Sequence, residues 1–593
     1  MKTAIDLDLY GANYRDGQTE FRLWAPKAKH VVLRLMRIGR SEYRDYEMRR
    51  LGSSDFGVPD FEQESDADTF TLTIDARPGD RYFYIVDGRK PLPDPVSRFQ
   101  PEGVHGPTQI VDANSFPWTD QKWRGLELAK YVIYELHVGT FTPEGTLEAA
   151  IGKLSHLKGL GVTAIEVMPV NAFPGAHNWG YDGVGLYAVQ KNYGGPEALR
   201  RFVNAAHENG LAVIQDVVYN HLGNEGNYLR EFGPYFTAKH QTLWGEAINY
   251  DDEGCEVVRE FVVNNALYWI HEYHMDGLRL DAVQMIKDDS RKHIVAEIAE
   301  RVHDLGKELG RTVVVTAETD ENDACYVCEY GVDAVWSDDF HHVVHAMLTG
   351  EENGYYQDFV GRRDLLVRAL NEGPGFQGEM FKFWNAERGT TAAGVPLPAN
   401  IFCMQNHDQV GNRPKGERLT ELVPRGARKW AAALLLLAPE TPLLFMGEEF
   451  DEAAPFQFFT DYGDEHLQKA VSEGRRKEFE DFGWDEGPDP QEQVTFERSH
   501  LRWNWNESQQ QMFHWYQDLL RLRRELVVGG QRTCRTEWLS DGVLRMQVPA
   551  ENPSLYVLAS LPGHRAERQV ETGWFPVLRS DEDGYEVQVF TRG

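Results

Sequence analysis

Four stretches of the chain end apolar runs with acids, amides or imidazoles: Asp216 to His221, Arg279-Leu280-Asp281, Ala317-Glu318 and Asn406-His407-Asp408. Side chains alternate along a strand, so Arg279 and Asp281 share a face and lie within reach of each other. A neighbouring guanidinium favours the ionised carboxylate, as a nucleophile requires. Glu318 arrives on the next run and is placed to oppose Asp281 across a bond. Two carboxyl groups about 5–5.5 Å apart suit a retaining glycosidase, in which one attacks the anomeric carbon and the other protonates the leaving oxygen. Asp281 is therefore expected as nucleophile and Glu318 as the acid/base that keeps its proton near neutrality. Asp408 is expected as a third acid, gripping sugar hydroxyls and stabilising the oxocarbenium-like transition state. His221 and His407 are expected to donate to the same ring, and Tyr181 to offer a stacking face. Trp179 reads equally as a stacking platform or as packing, and Asp216 as a structural partner of the site. Singly, these residues fit an ion pair, a helix cap or a turn; their placement at successive strand ends favours a joint site.

Positioning them requires strands that deliver their ends to one place. Eight short apolar runs alternate with amphipathic stretches, at 132–138, 162–170, 211–221, 277–283, 312–318, 334–340, 400–408 and 441–449. That pattern predicts a closed (β/α)8 barrel, an α/β fold whose functional residues come from the carboxyl ends of strands. Leu147, Ile151, Leu154 and Leu157 fall on one helical face, and Pro196 opens a helix that ends at Gly210. Long insertions at 222–255, 341–398 and 450–500 are expected to shape the substrate site. The barrel is assigned to 116–526, with short Gly/Pro-punctuated strands forming a β-sandwich over 1–115 and a smaller β domain over 527–593.

Composition narrows the partners. The 593 residues carry 61 Lys and Arg against 93 Asp and Glu, a formal charge of −32 that repels phosphate backbones and anionic lipid. Neither nucleic acid nor a membrane is an expected partner. The longest apolar run, Trp430 to Ala438, is too short to span a bilayer. The opening MKTAIDLDLYG meets Asp6 and Asp8 before any apolar stretch, so a cytoplasmic protein is expected. Five scattered cysteines cannot all pair, and the single Cys325-Tyr326-Val327-Cys328 reads as two unrelated thiols. His341-His342 after Asp338-Asp339 looks like a metal pair, but adjacent histidines point in different directions; neither metal nor cofactor is expected. No compact acidic loop demands calcium.

At these residues the chain resembles the α-amylase superfamily of glycoside hydrolases, through DVVYNH at 216–221, DGLRLDAV at 276–283, AE at 317–318 and QNHD at 405–408. The resemblance implies Asp281 as nucleophile, Glu318 as proton donor and Asp408 as transition-state stabiliser. More narrowly, the segments at 92–112, 173–188, 337–351, 405–419 and 455–462 resemble a trehalose-releasing subgroup. Its members cut the α-1,4 bond joining a maltooligosaccharide to a terminal α,α-trehalose, so the implied substrates are maltooligosyltrehalose and related α-glucans. In that subgroup the segments matching Arg279–Gln284, Asp338–His342 and His407–Asn412 line the sugar site. This adds Gln284, Asp338, Asp339, His341, His342, Gln409 and Asn412 as substrate-binding candidates. Gln284 stands where many relatives have His, and Thr319 to Gly331 matches poorly. The rivals are a 1,4-α-glucan branching enzyme, which resolves the same covalent intermediate with a 6-hydroxyl in place of water, or another amylase-like α-glucan hydrolase. A barrel that had lost catalysis would be expected to lack one of the three acids, and all three are present.

Overall fold

A computed structural model describes residues 10–51, 68–484, 486–530, 532–566 and 573–592. The first nine residues, on which the expected absence of a leader partly rests, lie outside the described residues.

Each of the eight apolar runs contains a strand: β1 Ile133–Leu136, β2 Ala164–Val167, β3 Ala212–Val217, β4 Gly277–Leu280, β5 Val314–Ala317, β6 Ala334–Trp336, β7 Asn400–Cys403 and β8 Thr441–Phe445. They pair in parallel with their chain neighbours and close through β8 against β1, a (β/α)8 barrel. The inward faces divide the interior in two. Ile133, Ala164, Ala212, Ile214, Val314, Ala334, Ile401 and Leu443 form one apolar cluster toward the amino-terminal end. Two residues further along the same faces stand Glu135, Glu166, Asp216, Arg279 and Thr316, all buried. The register sets Asp216 beside Arg279 and Arg279 beside Thr316. An apolar plug thus supports a polar layer at the end where the loops converge.

The helices follow local signals with one departure. Pro196 lies in the first turn of Gly195–Glu208 as its fixed φ favours. The face expected over 147–157 is split between Leu147–Ile151 and Leu154–Leu160, broken at Gly152-Lys153, and Ile151 is only half-buried.

Two four-stranded antiparallel sheets precede the barrel, with Phe21, Leu23, Leu33, Tyr82 and Tyr84 buried in their core. A five-stranded antiparallel sheet from Arg535 to Arg592 follows it. This last sheet docks on the helix Arg425–Leu437, where Asp583 accepts from the Gly426 amide at 2.9 Å and Glu582 from Lys429 at 2.7 Å. A Cβ at Gly426 would lie 2.0 Å from the Glu582 carbonyl oxygen, so only glycine permits the approach. Among the described residues no helix is long and apolar enough to cross a membrane.

Each long insertion is structured. The first carries the hairpin Phe236–Thr242 and Gly245–Ile248, and the third carries the helices Glu465–Asp481 and Gln493–Arg498. The second carries a hairpin, Glu379–Phe381 and Ala386–Arg388, pinned to the barrel by one buried ion pair. Arg388 donates to Asp339 Oδ1 at 2.7 Å, while Asp339 Oδ2 accepts from Asn322 and from the Gly375 and Phe376 amides. Replacing Asp339 with Ala leaves a buried guanidinium without its carboxylate, which is expected to cost about 3–5 kcal/mol in chemical denaturation. A change within about 0.5 kcal/mol, usual for surface positions, would show that the pair does not hold the insertion.

Candidate active site

The polar layer is organised by one side chain. Arg279 is fully buried on β4, and its Nη1 donates to both oxygens of Asp216, at 3.0 and 2.9 Å, and to Asp281 Oδ1 at 2.7 Å. Its Nη2 lies 3.4 Å from Glu318 Oε2, and its guanidinium lies 4.4 Å from the Trp336 ring centroid. Carboxylates from the ends of β3, β4 and β5 thus share one cation. Asp281 Oδ2 also accepts from Asn220 Nδ2 at 2.7 Å, so both of its oxygens are held by donors. Tyr181 donates its hydroxyl to Asp216 Oδ2 at 2.7 Å. Burial pushes Asp216 up to about 6 against the pull of Arg279.

The backbone turns sharply after Asp281. Ala282 adopts φ 39°, ψ 55°, a left-handed conformation that L-residues other than Asn and Asp rarely take. That turn directs its amide at Glu318 Oε2, 2.5 Å away. Burial is the largest influence on Glu318 and raises its pKa, Arg279 opposes it, and the nearby Asp281, Asp408 and Asp338 add to the rise, carrying the group to about 8. Glu318 is accordingly protonated at neutral pH, as an acid must be.

The third acid comes from the turn after β7. Asn406 caps the short helix His407–Gly411 by accepting from the Gln409 amide at 2.7 Å, which sets Asp408 in its first turn. Asp408 has 39% of its side chain exposed and accepts from Asn412 Nδ2 at 3.1 Å. Glu135 on β1 bonds both the backbone amide and the ring of His407. Burial alone would lower the His407 pKa, but Asp408 and Glu135 outweigh it and carry it to about 9. The resulting imidazolium has Nε2 3.6 Å from Asp408, and Tyr181 stacks on the ring at 5.0 Å.

Other candidates separate into those that face this group and those that do not. Asp338, half-buried at the end of β6, is pushed by burial up to about 7, with Asp408 among the like charges acting on it. Gln284 keeps Oε1 buried without a hydrogen-bond partner. Gln409 accepts from the Tyr355 hydroxyl at 3.2 Å. Asp339 is turned away, its carboxylate spent on Arg388 and its neighbours. His341 bonds the Met404 carbonyl at 2.7 Å and the Tyr356 hydroxyl at 3.2 Å. His342 bonds the Asp338 carbonyl at 2.6 Å, and its ring packs on Tyr355. The two imidazoles lie 5.4 Å apart, with their Nδ1 atoms on separate backbone carbonyls. His221 sets its two ring nitrogens against two acceptors, Asn220 Oδ1 and the Tyr181 carbonyl, of which a neutral ring donates to one, and it stacks on Trp244 at 3.9 Å. Trp179 packs, stacked on Phe456 with Nε1 donating to the Gln457 carbonyl at 3.0 Å. Glu135, Trp244 and Trp336 escaped the sequence reading, and Asn220, at the polar end of the third run inside DVVYNH, was given no role there.

The comparisons with known proteins agree with this geometry. The family described as "Alpha amylase, catalytic domain" matches residues 107–244. A malto-oligosyltrehalose trehalohydrolase of Saccharolobus solfataricus is 45% identical over 88% of this chain and 89% of its own. A crystal structure titled as a putative alpha amylase from Salmonella typhimurium superposes with a TM-score of 0.86 at 36% identity, covering 98% of this chain and 99% of that one. A 1,4-alpha-glucan branching enzyme of Pseudoalteromonas atlantica is 31% identical, over 47% of this chain and 40% of its own. Matched along most of its length, and with an Arg279-centred carboxylate group at the strand ends of an α/β barrel, the chain belongs to the malto-oligosyltrehalose trehalohydrolase family of α-amylase-type glycoside hydrolases.

Proposed function

We propose that the protein hydrolyses the α-1,4 bond between a maltooligosaccharide and its terminal α,α-trehalose, in the cytoplasm, through a covalent glycosyl-enzyme. The observation that carries the reading is the sharing of one guanidinium by Asp281 and Glu318 from consecutive strands. The trehalohydrolase relative supports the substrate.

Asp281 is the nucleophile. Its carboxylate bonds to the anomeric carbon of the glucose preceding trehalose, the bond from that carbon to the trehalose oxygen breaks, and Glu318 gives its proton to that oxygen. Water then attacks the same carbon, Glu318 takes back a proton, and the ester to Asp281 opens. Asp408 and the positive charge spread in the transition state attract each other. Tyr181 and His407 hold the sugar ring, and the exposed face of the site receives Asp338, Gln284, Gln409 and Asn412 as polar partners. The barrel, over 116–526, carries this chemistry, with the flanking β domains at 1–115 and 527–593.

Asp281→Asn, Glu318→Gln and Asp408→Asn are each expected to lower kcat by about 100-fold or more. The assay is chromatography of products from maltooligosyltrehalose and, separately, from amylose. Free trehalose with a shortened maltooligosaccharide is expected from the wild type. New α-1,6 branches in amylose without trehalose would overturn the substrate assignment in favour of a branching enzyme.

The pH profile has a defined sign. Glu318 works protonated, and its pKa in the free protein is raised to about 8, so kcat/KM is expected to fall on the alkaline side as pH passes that value. The limb should disappear from the residual activity of Glu318→Gln. A wild-type profile that stays flat well above neutrality would contradict the acid role.

A further inference from the structure

The insertion after β8 sends one charged group down to the active site. The helix Glu465–Asp481 is polar along most of its length, and Arg475 and Phe479 anchor it. Arg475, with 14% of its side chain exposed, places its guanidinium 4.6 Å from the Phe458 ring centroid and 5.1 Å from that of Phe479. Its Nη1 donates to Asn412 Oδ1 at 3.1 Å and to Glu478 Oε2 at 2.8 Å, and its Nη2 donates to the Gly411 carbonyl at 3.3 Å. Asn412 in turn donates Nδ2 to Asp408 Oδ1 at 3.1 Å. A three-member chain therefore runs from the inserted helix to the third acid.

The carboxamide in the middle has two ends of nearly equal shape and opposite hydrogen-bonding character. Its own rotamer does not decide which end faces Asp408. Arg475 does decide it, because a guanidinium carries donors and no acceptor. With Arg475 in place, Oδ1 must turn to the guanidinium, which leaves both Nδ2 hydrogens on the side of Asp408. In the flipped state the amide oxygen would oppose the Asp408 carboxylate, repelling the group whose position matters for transition-state charge.

We infer that Arg475 is a positioning residue for Asp408, acting through the orientation of the Asn412 carboxamide. The inference rests on the assignment of Asp408 as the third acid. It also gives the inserted helix a part in the reaction, since the residue that orients Asn412 is delivered only when that helix is docked. Substrate binding draws on many other contacts, so the effect belongs in kcat.

The test is steady-state kinetics on maltooligosyltrehalose for Arg475→Met, Arg475→Lys, Asn412→Ala and the Arg475→Met/Asn412→Ala double variant, with thermal unfolding recorded for each. Methionine keeps an apolar stem between Phe458 and Phe479. Arg475→Met is expected to lower kcat by about tenfold while KM moves less than about threefold. Arg475→Lys, which keeps a donor for Asn412 Oδ1, is expected to recover most of the loss. The double variant is expected to be no slower than Asn412→Ala alone, because without the carboxamide nothing is left to orient. Additive losses in the double variant, or unchanged kcat in Arg475→Met, would overturn the inference. A Lys variant that folds as the wild type yet is as slow as the Met variant would do the same. Asp408→Asn serves as the control: near-normal turnover there removes the role of Asp408 itself, whereas a severe loss there beside a normal Arg475→Met removes only the part given to Arg475.

Discussion

Everything at the carboxyl end of the barrel depends on keeping the Arg279 guanidinium charged without water. A cation buried this completely is tolerated only when anions and hydrogen-bond acceptors replace its hydration. Asp216, Asp281 and Glu318 provide them from three neighbouring strands, each at a step that faces inward at or just past the strand's carboxyl end. The parallel register sets Asp216 level with Arg279, and Asp281 level with Glu318 one inward step further along, above the apolar plug and within the closure of β8 on β1. If one strand were displaced by a residue, its acid would point outward into the helical layer.

One cation shared by several acids also holds them in different surroundings. Asp281 has both oxygens occupied by donors, the guanidinium and the Asn220 amide. Glu318 sits at the longer distance from the cation and feels the like charges of Asp281, Asp408 and Asp338 as well as its own burial, so its proton is retained. Two carboxyl groups of similar intrinsic acidity thereby stand in different surroundings, as the proposed division of roles requires. The left-handed Ala282 belongs to the same arrangement, since the strain of that turn, about 1–3 kcal/mol, keeps an amide aimed at the acid.

The barrel and the convergence of carboxylates at its strand ends were legible in the sequence for a common reason. Short apolar runs with charged or amide ends mark inward-facing strands, and Arg279, Asp281, Glu318 and Asp408 stand within such ends. Partners brought in by folding were not legible. Nothing in the pattern around Glu135 announces that it holds His407, 272 positions away, or that the Arg388 of a distant hairpin claims Asp339. The same holds in the segment likened to a sugar-binding one, where Asp339 bonds Arg388, His341 the Met404 carbonyl and His342, through Nδ1, the Asp338 carbonyl. The helical face over 147–157 was readable as apolar, but not its interruption, because a hydrophobic pattern records burial and not the continuity of the backbone.

The most direct test of the account is to identify the residue that carries the sugar. The enzyme is inactivated with a 5-fluoroglycosyl fluoride, which slows hydrolysis of the covalent intermediate, then digested and mapped by mass spectrometry. The account predicts a single hexosyl adduct on the peptide containing Asp281, and no inactivation of Asp281→Asn. An adduct on Glu318 or Asp408 would contradict the division of roles imposed by Arg279.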